Sequence, residues 1–154
     1  MLTRLLTVFL FIGSLCVLSP SPASAQEMTC PEHTPVGIDI KPADHPNKIN
    51  LTAKGLLPVA VLTTPTFDAS QFAPEMAHLS DSRMAMGAGC VGADAVRWNL
   101  DDVNRDGRLD LVFFFKIQDL NLTSTSTEAT FMAHGSDGSS GIHILGTDSV
   151  QVKP

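Results

Sequence analysis

Residues 102–115 read Asp-Val-Asn-Arg-Asp-Gly-Arg-Leu-Asp-Leu-Val-Phe-Phe-Phe, an acidic loop that runs directly into an apolar segment. Side-chain oxygens stand at loop positions 1, 3, 5 and 9, and glycine stands at position 6. Calcium binds oxygen ligands in a loose cage, and glycine allows the sharp turn that brings the later ligands round. The spacing therefore predicts one calcium site. The ligands we expect are the side chains of Asp102, Asn104, Asp106 and Asp110 and the backbone carbonyl of Arg108.

The segment after the loop distinguishes it from an EF-hand, which has a bidentate Glu at position 12 and then a helix. Here position 12 is Phe113, within an aromatic, β-favouring run. We therefore expect the loop to join two strands, over 95–100 and 109–115, as a hairpin held by the ion. The alternative is an acidic Asn/Asp/Gly turn without an ion. Three carboxylates within nine residues would repel one another without a cation, which favours the calcium site.

The N-terminal 25 residues are typical of a signal peptide. Arg4 is followed by an apolar run over 5–18 and by the small-residue cleavage signal Ala23-Ser24-Ala25, which predicts a mature start at Gln26. The apolar run is shorter than the roughly 20 residues of a membrane span. No second run of that kind exists, so we expect no membrane span in the mature chain. The predicted location is secreted, periplasmic or on the cell surface.

Cys30 and Cys90 are the two cysteines that remain after cleavage. In an exported protein an even pair predicts a disulfide, which would contribute about 4 kcal/mol in the chain-entropy model. The alternative is two free buried thiols. Cys16 lies in the leader, and lipidation there is the weaker reading because Leu15 stands where a small residue is expected.

Length and charge narrow the class of protein. The mature chain of 129 residues is the size of one domain, with an arm over 26–35 and a single domain over 36–154. Cleavage removes one basic residue and leaves nine basic against sixteen acidic groups, a net charge of −7. An acidic surface disfavours binding to nucleic acid or to anionic membranes.

Short apolar or alternating runs separated by turn residues predict an all-β fold, an antiparallel β-sandwich of about seven to eight short strands. Pro58 cannot donate to a strand ladder, so we place it at a strand's start or at a sheet edge. The apolar residues over 67–83 fit neither the helical period of about 3.6 residues nor the strand period of two. One interpretation is a short helix or turn near 74–77. Met84 and Met86 suggest a brief strand. The other strands are expected over 36–40, 56–62, 95–100, 109–115, 128–133, 142–145 and 149–152.

Three further stretches accompany the loop: Gly-Ile-Asp-Ile-Lys-Pro over 37–42, Pro-Asn-Lys-Ile-Asn over 46–50, and Lys-Gly-Leu-Leu-Pro-Val-Ala-Val-Leu over 54–62. With the terminal Gly-Thr-Asp-Ser-Val-Gln-Val over 146–152, the chain resembles a recurrent bacterial secreted β module over nearly all of its mature length. The loop itself also resembles those of dockerin and integrin-type repeats. The resemblance implies an accessory calcium-binding module without catalytic activity. Ala43 and Arg105 stand where that family has glycine; the Arg105 side chain is expected to point outward.

Other candidate sites are weaker. The five histidines are dispersed in the sequence without a His-Glu-x-x-His pattern, and we interpret them as surface or strand residues. Trp98, the sole tryptophan, is expected in the core rather than as a sugar-stacking platform. Asp39, Asp44 and Asp137 could add calcium ligands from other loops.

Adjacent Asp101 and Asp102 would point to opposite faces of a strand, which fits a pair of glycosidase carboxylates poorly. The sequence thus predicts an exported, non-catalytic calcium-binding module whose partner is an extracellular polysaccharide or protein. The alternative is a secreted hydrolase or a carbohydrate-binding domain in which calcium is purely structural.

Overall fold

The computed structural model describes residues 32–85, 92–136 and 141–153, and these ranges hold ten strands and one short helix. The predicted leader, Cys16, Cys30, Cys90 and Asp137 lie outside them. The strands are β1 (Thr34–Pro35), β2 (Ile38–Ile40), β3 (Lys48–Asn50), β4 (Leu56–Val61), β5 (Ala73–Asp81), β6 (Ala93–Asp101), β7 (Asp110–Lys116), β8 (Glu128–Ser136), β9 (Gly141–Ser149) and β10 (Gln151–Lys153). Helix α1 spans Ser82–Ala85, and two 3-10 turns span Ala69–Gln71 and Ile117–Asp119.

Eight strands form one curled sheet in the order β1-β9-β8-β5-β6-β7-β4-β2, while β3 and β10 form a separate parallel pair. Within the large sheet the neighbours are antiparallel except for β1 and β9. β5 and β6 share only two residue pairs, whereas β6 then runs along β7. The sheet folds over at this narrow junction, so that its two halves face each other. The predicted all-β, sandwich-like fold is confirmed.

The core lies between β7 and β8, which belong to opposite halves of the folded sheet. The ring of Phe131 on β8 lies 4.9 Å from that of Phe113 and 6.2 Å from that of Phe115, both on β7. All three phenylalanines are almost completely buried. Residues on both faces of β7 are buried, and Arg97 lies over the ring of Phe114. The strand is therefore a continuous apolar run rather than an alternating one.

One short segment joins the two outer edges of the sheet. β1 pairs with β9 and β2 pairs with β4, although only two residues separate β1 from β2. Val36 N–H donates to Leu145 O at 2.9 Å, and Leu62 N–H donates to Gly37 O at 2.9 Å. Since β1 and β2 stand at opposite ends of the strand order, the edges meet here and the segment covers both of them.

Asp148 fastens this closure to the β3–β10 pair. Its Oδ2 accepts from the backbone N–H of Ile40 at 2.9 Å and from the side-chain amide of Asn47 at 2.8 Å. The same amide donates to Ser149 O at 2.9 Å. Three of the stretches that carry the family resemblance therefore meet at one corner of the fold, where they have a structural role.

Pro58 is the third of the six residues of β4, which lies between β7 and β2, so the expectation of a strand's start or a sheet edge is wrong. The Pro58 carbonyl accepts from the backbone N–H of Lys41 at 2.8 Å. In an antiparallel strand the N and O of one residue point to the same side. The proline nitrogen therefore faces away from β7, and its missing N–H removes no hydrogen bond from that ladder.

The region over 67–85 differs most from expectation. Residues 73–81 form the nine-residue strand β5, not a short helix or turn near 74–77. The register against β8 shifts between Pro74 and Met76, so an extra residue breaks the twofold period that a strand normally shows. Met84 lies in α1 rather than in a strand, and Met86 lies outside the described residues. The ten strands also exceed the predicted seven to eight.

Candidate metal centre

The acidic loop lies in the hairpin formed by β6 and β7, as predicted. Asp101 at the end of β6 and Asp110 at the start of β7 are register partners, so residues 102–109 form the connection. Immediately after the loop, Leu111, Val112 and Phe113 are buried. Packing of β7 into the core thus fixes one end of the loop.

The side chains at positions 1, 3 and 5 turn back onto the backbone of the loop. Asp102 Oδ1 accepts from the N–H of Asp106 and Oδ2 from the N–H of Gly107, both at 3.0 Å. Asn104 Oδ1 also accepts from Asp106 N–H at 3.0 Å, and Asp106 Oδ1 accepts from Arg108 N–H at 2.9 Å. These local bonds are typical of Asn and Asp in turns, and they hold three oxygen-bearing side chains over one short stretch of chain.

Two residues of the loop have left-handed backbone conformations. Gly107 has φ 86°, which glycine adopts without steric cost. Arg105 has φ 61°, and its side chain is exposed as expected. This conformation is costly for a residue with a Cβ, so glycine would fit position 105 with less strain than arginine.

Asp110, the position-9 residue, is completely buried. Its Oδ1 accepts from the N–H of Thr63 at 2.8 Å, and its Oδ2 accepts from the N–H of Val103 at 3.2 Å. The Thr63 hydroxyl donates to Leu109 O at 2.6 Å and accepts from Ala69 N–H at 3.0 Å. The carboxylate thus ties the start of the loop to Thr63, which lies shortly after β4, and the Thr63 hydroxyl joins the 3-10 turn to the same point. Sequence reasoning missed Thr63, because nothing in its local sequence indicates a partner 47 residues away.

Basic side chains of the described residues do not pair with the carboxylates of the loop. Among the described residues, no Lys, Arg or His forms an ion pair with Asp102, Asp106 or Asp110. Arg105 and Arg108 are both exposed. A buried carboxylate is stabilised only when hydrogen bonds or opposite charge replace its hydration. Asp110 has two N–H donors and no counter-charge in this part of the chain.

In the described ranges no three His, Cys, Asp or Glu side chains come together, as they stand, in an arrangement that would hold a metal ion. The expected ligand set of the loop goes beyond these residue types, because it includes the Asn104 amide oxygen and the Arg108 carbonyl. All five donors are hard oxygens around a glycine turn. By its chemistry this set fits calcium and not a soft metal.

Two of the proposed extra ligands, Asp39 and Asp44, lie within the described residues, and both are separate from the loop. Asp44 pairs with Lys41, and the hydrogen bond from that lysine holds the pKa of the exposed carboxyl below its usual range. Burial raises the pKa of Asp39, with a smaller opposing effect of His45 and a further upward effect of Asp148. Neither carboxylate bonds to the loop within the described residues.

Trp98 is 48 % exposed, so the expectation of a core position is wrong. It lines an open cleft between β5 and β6 together with Met76 and Val96, which are also exposed. β6 carries a register shift next to Val96, and β5 and β6 pair only at one end. The two strands therefore separate, and the apolar face of β6 lines the gap instead of covering the core.

Three of the five histidines lie close together in space. His134 on β8 and His143 on β9 are register partners with ring centroids 4.6 Å apart. His33 adds a third ring, 5.7 Å from His143. This row could not be found by spacing, because it depends on the register of β8 against β9.

Within the described ranges no helix is both long and apolar enough to cross a bilayer. Comparison of the chain with protein-family models, with curated proteins and with solved structures found no match. The likeness to a bacterial secreted module therefore stays a prediction from the motifs.

Proposed function

We propose that this protein is an exported, non-catalytic module in which calcium, bound by the loop between β6 and β7, pins the hairpin to the sandwich. The observation that supports it most is the geometry of the loop. Side-chain oxygens at positions 1, 3 and 5 fold over the same backbone, while the buried position-9 carboxylate has no basic partner among the described residues.

The proposed ligands contribute different kinds of oxygen atom. Asp102, Asn104 and Asp106 supply exposed side-chain oxygens, and Arg108 supplies its carbonyl. Asp110 supplies a carboxylate that is already anchored to Thr63. A bound divalent cation would neutralise the mutual repulsion of the three carboxylates. Calcium would thereby stiffen the link between the hairpin, β4 and the 3-10 turn at Ala69–Gln71.

The expected affinity is modest. Extracellular calcium modules have dissociation constants of about 0.1–1 mM. At ten times that constant, binding adds only about 1.4 kcal/mol to the free energy of unfolding. Calcium therefore orders a hairpin in a domain that already folds, and the ion is a structural part of an accessory module.

A second candidate function, carbohydrate binding, is favoured by the cleft at Trp98. A half-exposed indole beside Met76 and Val96 offers a flat apolar platform, and Glu75, Asp94 and Arg97 line the same cleft. Exposed aromatic rings flanked by polar groups suit an amphipathic ligand such as an extracellular polysaccharide. Glycan-array binding of the wild type and of Trp98→Ala, each with and without chelator, separates this role from the calcium site.

Calorimetric titration of metal-stripped mature protein with calcium tests the main proposal. We expect one saturable site and a calcium-dependent rise in Tm. Asp106→Ala should abolish both. Asp119→Ala removes an exposed carboxylate outside the loop and should retain both. Absence of calcium uptake at millimolar concentration, or a full Tm shift in Asp106→Ala, overturns the assignment.

A further inference from the structure

Three histidines form a row across β8, β9 and the residue before β1. These strands lie at one end of the strand order, away from the β6–β7 hairpin that carries the calcium loop. His134 and His143 face each other across β8 and β9, and His33 lies beside His143 because Thr34 on β1 is paired with Ile144 on β9. The ring centroids are 4.6 Å and 5.7 Å apart along the row. All three rings are partly accessible to solvent.

We propose that His134 and His143 form a site for a late first-row divalent transition ion, such as Cu²⁺, Ni²⁺ or Zn²⁺, with His33 as a neighbouring third ring. Imidazole nitrogen is a preferred ligand for these metals, whereas calcium takes oxygen. This site is independent of the loop at 102–110 and of the calcium proposal.

The carboxylate of Glu75 supplies the arrangement that usually accompanies a metal-binding histidine. Its Oε2 lies 3.1 Å from Nδ1 of His134. A carboxylate this close to Nδ1 favours the tautomer that carries its proton there, so that Nε2 keeps its lone pair for a metal. Nε2 of His134 lies on the side of Gly141, where an added Cβ would be 3.6 Å away. The approach to this nitrogen is therefore bordered by a residue without a side chain.

His33 and its surroundings add to the site. Glu32, His33, Gly141 and His143 line an open recess beside the row. As the rings stand, no three ligating side chains converge among the described residues, so His33 joins the pair only after its side chain turns. Two imidazoles and solvent accordingly make the minimal site.

Isothermal titration of the metal-stripped, untagged mature protein with Cu²⁺, Ni²⁺ and Zn²⁺ tests this site. We expect one saturable site, tightest for Cu²⁺ by the Irving–Williams order, with no competition from excess calcium. Metal binding to imidazole requires the unprotonated ring and releases protons, so affinity should fall as the solution is acidified.

Variants assign the ligands. His143→Gln and His134→Gln should each abolish saturable uptake, and Glu75→Gln should weaken it by about tenfold or more through the lost orientation of His134. His45→Gln removes an exposed histidine outside the row and should bind as the wild type does. Asp106→Ala should also keep transition-metal uptake. No saturable uptake by the wild type, or unchanged uptake in both His143→Gln and His134→Gln, overturns the proposal.

Discussion

Asp110 accepts a hydrogen bond from the backbone N–H of Thr63 at 2.8 Å, a contact between residues 47 positions apart. The same carboxylate accepts from Val103 N–H inside the loop. It therefore holds the loop to the rest of the sandwich through two backbone N–H groups. Asp106 differs, since it is exposed and bonds only within the loop.

Asp110→Ala and Asp106→Ala should consequently behave differently in chelator. The first leaves two backbone N–H groups without their acceptor and should lower the free energy of unfolding by about 2 kcal/mol. The second should change it by less than about 0.5 kcal/mol, as exposed substitutions usually do. Urea unfolding of both variants in chelator measures the difference. Equal stability of the two variants would show that the buried carboxylate does not anchor the loop.

Gly146→Ala should destabilise the closure between the two sheet edges. A Cβ at this position would lie 2.5 Å from Ile38 Cγ2 and 2.8 Å from Val36 O. The resulting overpacking should cost about 1–3 kcal/mol in thermal or urea unfolding. Gly55→Ala is the matched control, because no atom lies within 4 Å of its added Cβ. If both variants unfold like the wild type, the segment over 36–38 does not pack on β9 as described.

Asp81 should make stability depend on pH in the acid range. The Arg83 guanidinium donates to this buried carboxyl and, against the opposing effect of burial, holds its pKa far below its usual range, helped by the Ser126 hydroxyl. Because the folded-state pKa is depressed, ionised Asp81 stabilises the fold above the unfolded-state pKa of about 3.9. That contribution is lost as the pH falls from there towards the folded-state pKa.

Asp81→Asn should therefore be less stable than the wild type at neutral pH, and the gap should narrow as the solution is acidified. Urea midpoints across the acid range measure this convergence. Asp119→Asn removes an exposed carboxylate without that guanidinium contact and serves as the charge control. A gap that stays constant with pH would contradict the role of the ionised Asp81–Arg83 pair.

The parts of the fold that could be predicted are those with local signals. The loop at 102–110, the strand after it and the hairpin they form all follow from residue spacing and from a continuous apolar run. β5 could not be predicted in the same way, because the bulge between Pro74 and Met76 destroys its period. Its length is determined by pairing with β8, which is information held far along the chain.

The candidate sites show the same limit. Alternation on β6 correctly indicated a strand, but the apolar face containing Val96 and Trp98 lines a cleft, because pairing between β5 and β6 stops after two residues. The alternation of apolar and polar residues shows which side chains share a face of the strand. It does not show which element, if any, covers that face. Likewise, the row of His33, His134 and His143 exists only in the register of three strands.

The exposure of Trp98 can be checked by fluorescence quenching, since it is the sole tryptophan. A half-exposed indole in an open cleft should be quenched by acrylamide in the native protein, more slowly than in the unfolded chain. Its native emission should lie at longer wavelength than that of a buried indole. Native fluorescence that resists quenching would place Trp98 in the core and remove the support for carbohydrate binding.

The left-handed backbone conformation of Ala43 can be tested by substitution. This residue, which stands where the resembled family has glycine, has φ 71°, a left-handed conformation that costs a side-chain-bearing residue about 1–2 kcal/mol. Glycine relieves that strain but adds about 0.4–1 kcal/mol of chain entropy to the unfolded state. The first effect is the larger, so Ala43→Gly should raise the free energy of unfolding by about 0.5–1 kcal/mol.

Ala53→Gly is the matched control for Ala43→Gly. Ala53 lies in a nearby loop, donates its N–H to Asn50 O at 3.1 Å and has no left-handed φ to relieve. Only the entropy effect applies there, so this variant should be destabilised by about 0.4–1 kcal/mol. Opposite signs for the two Ala→Gly changes in urea unfolding would support a left-handed conformation at residue 43. Destabilisation by both would mean that residue 43 does not occupy the left-handed region.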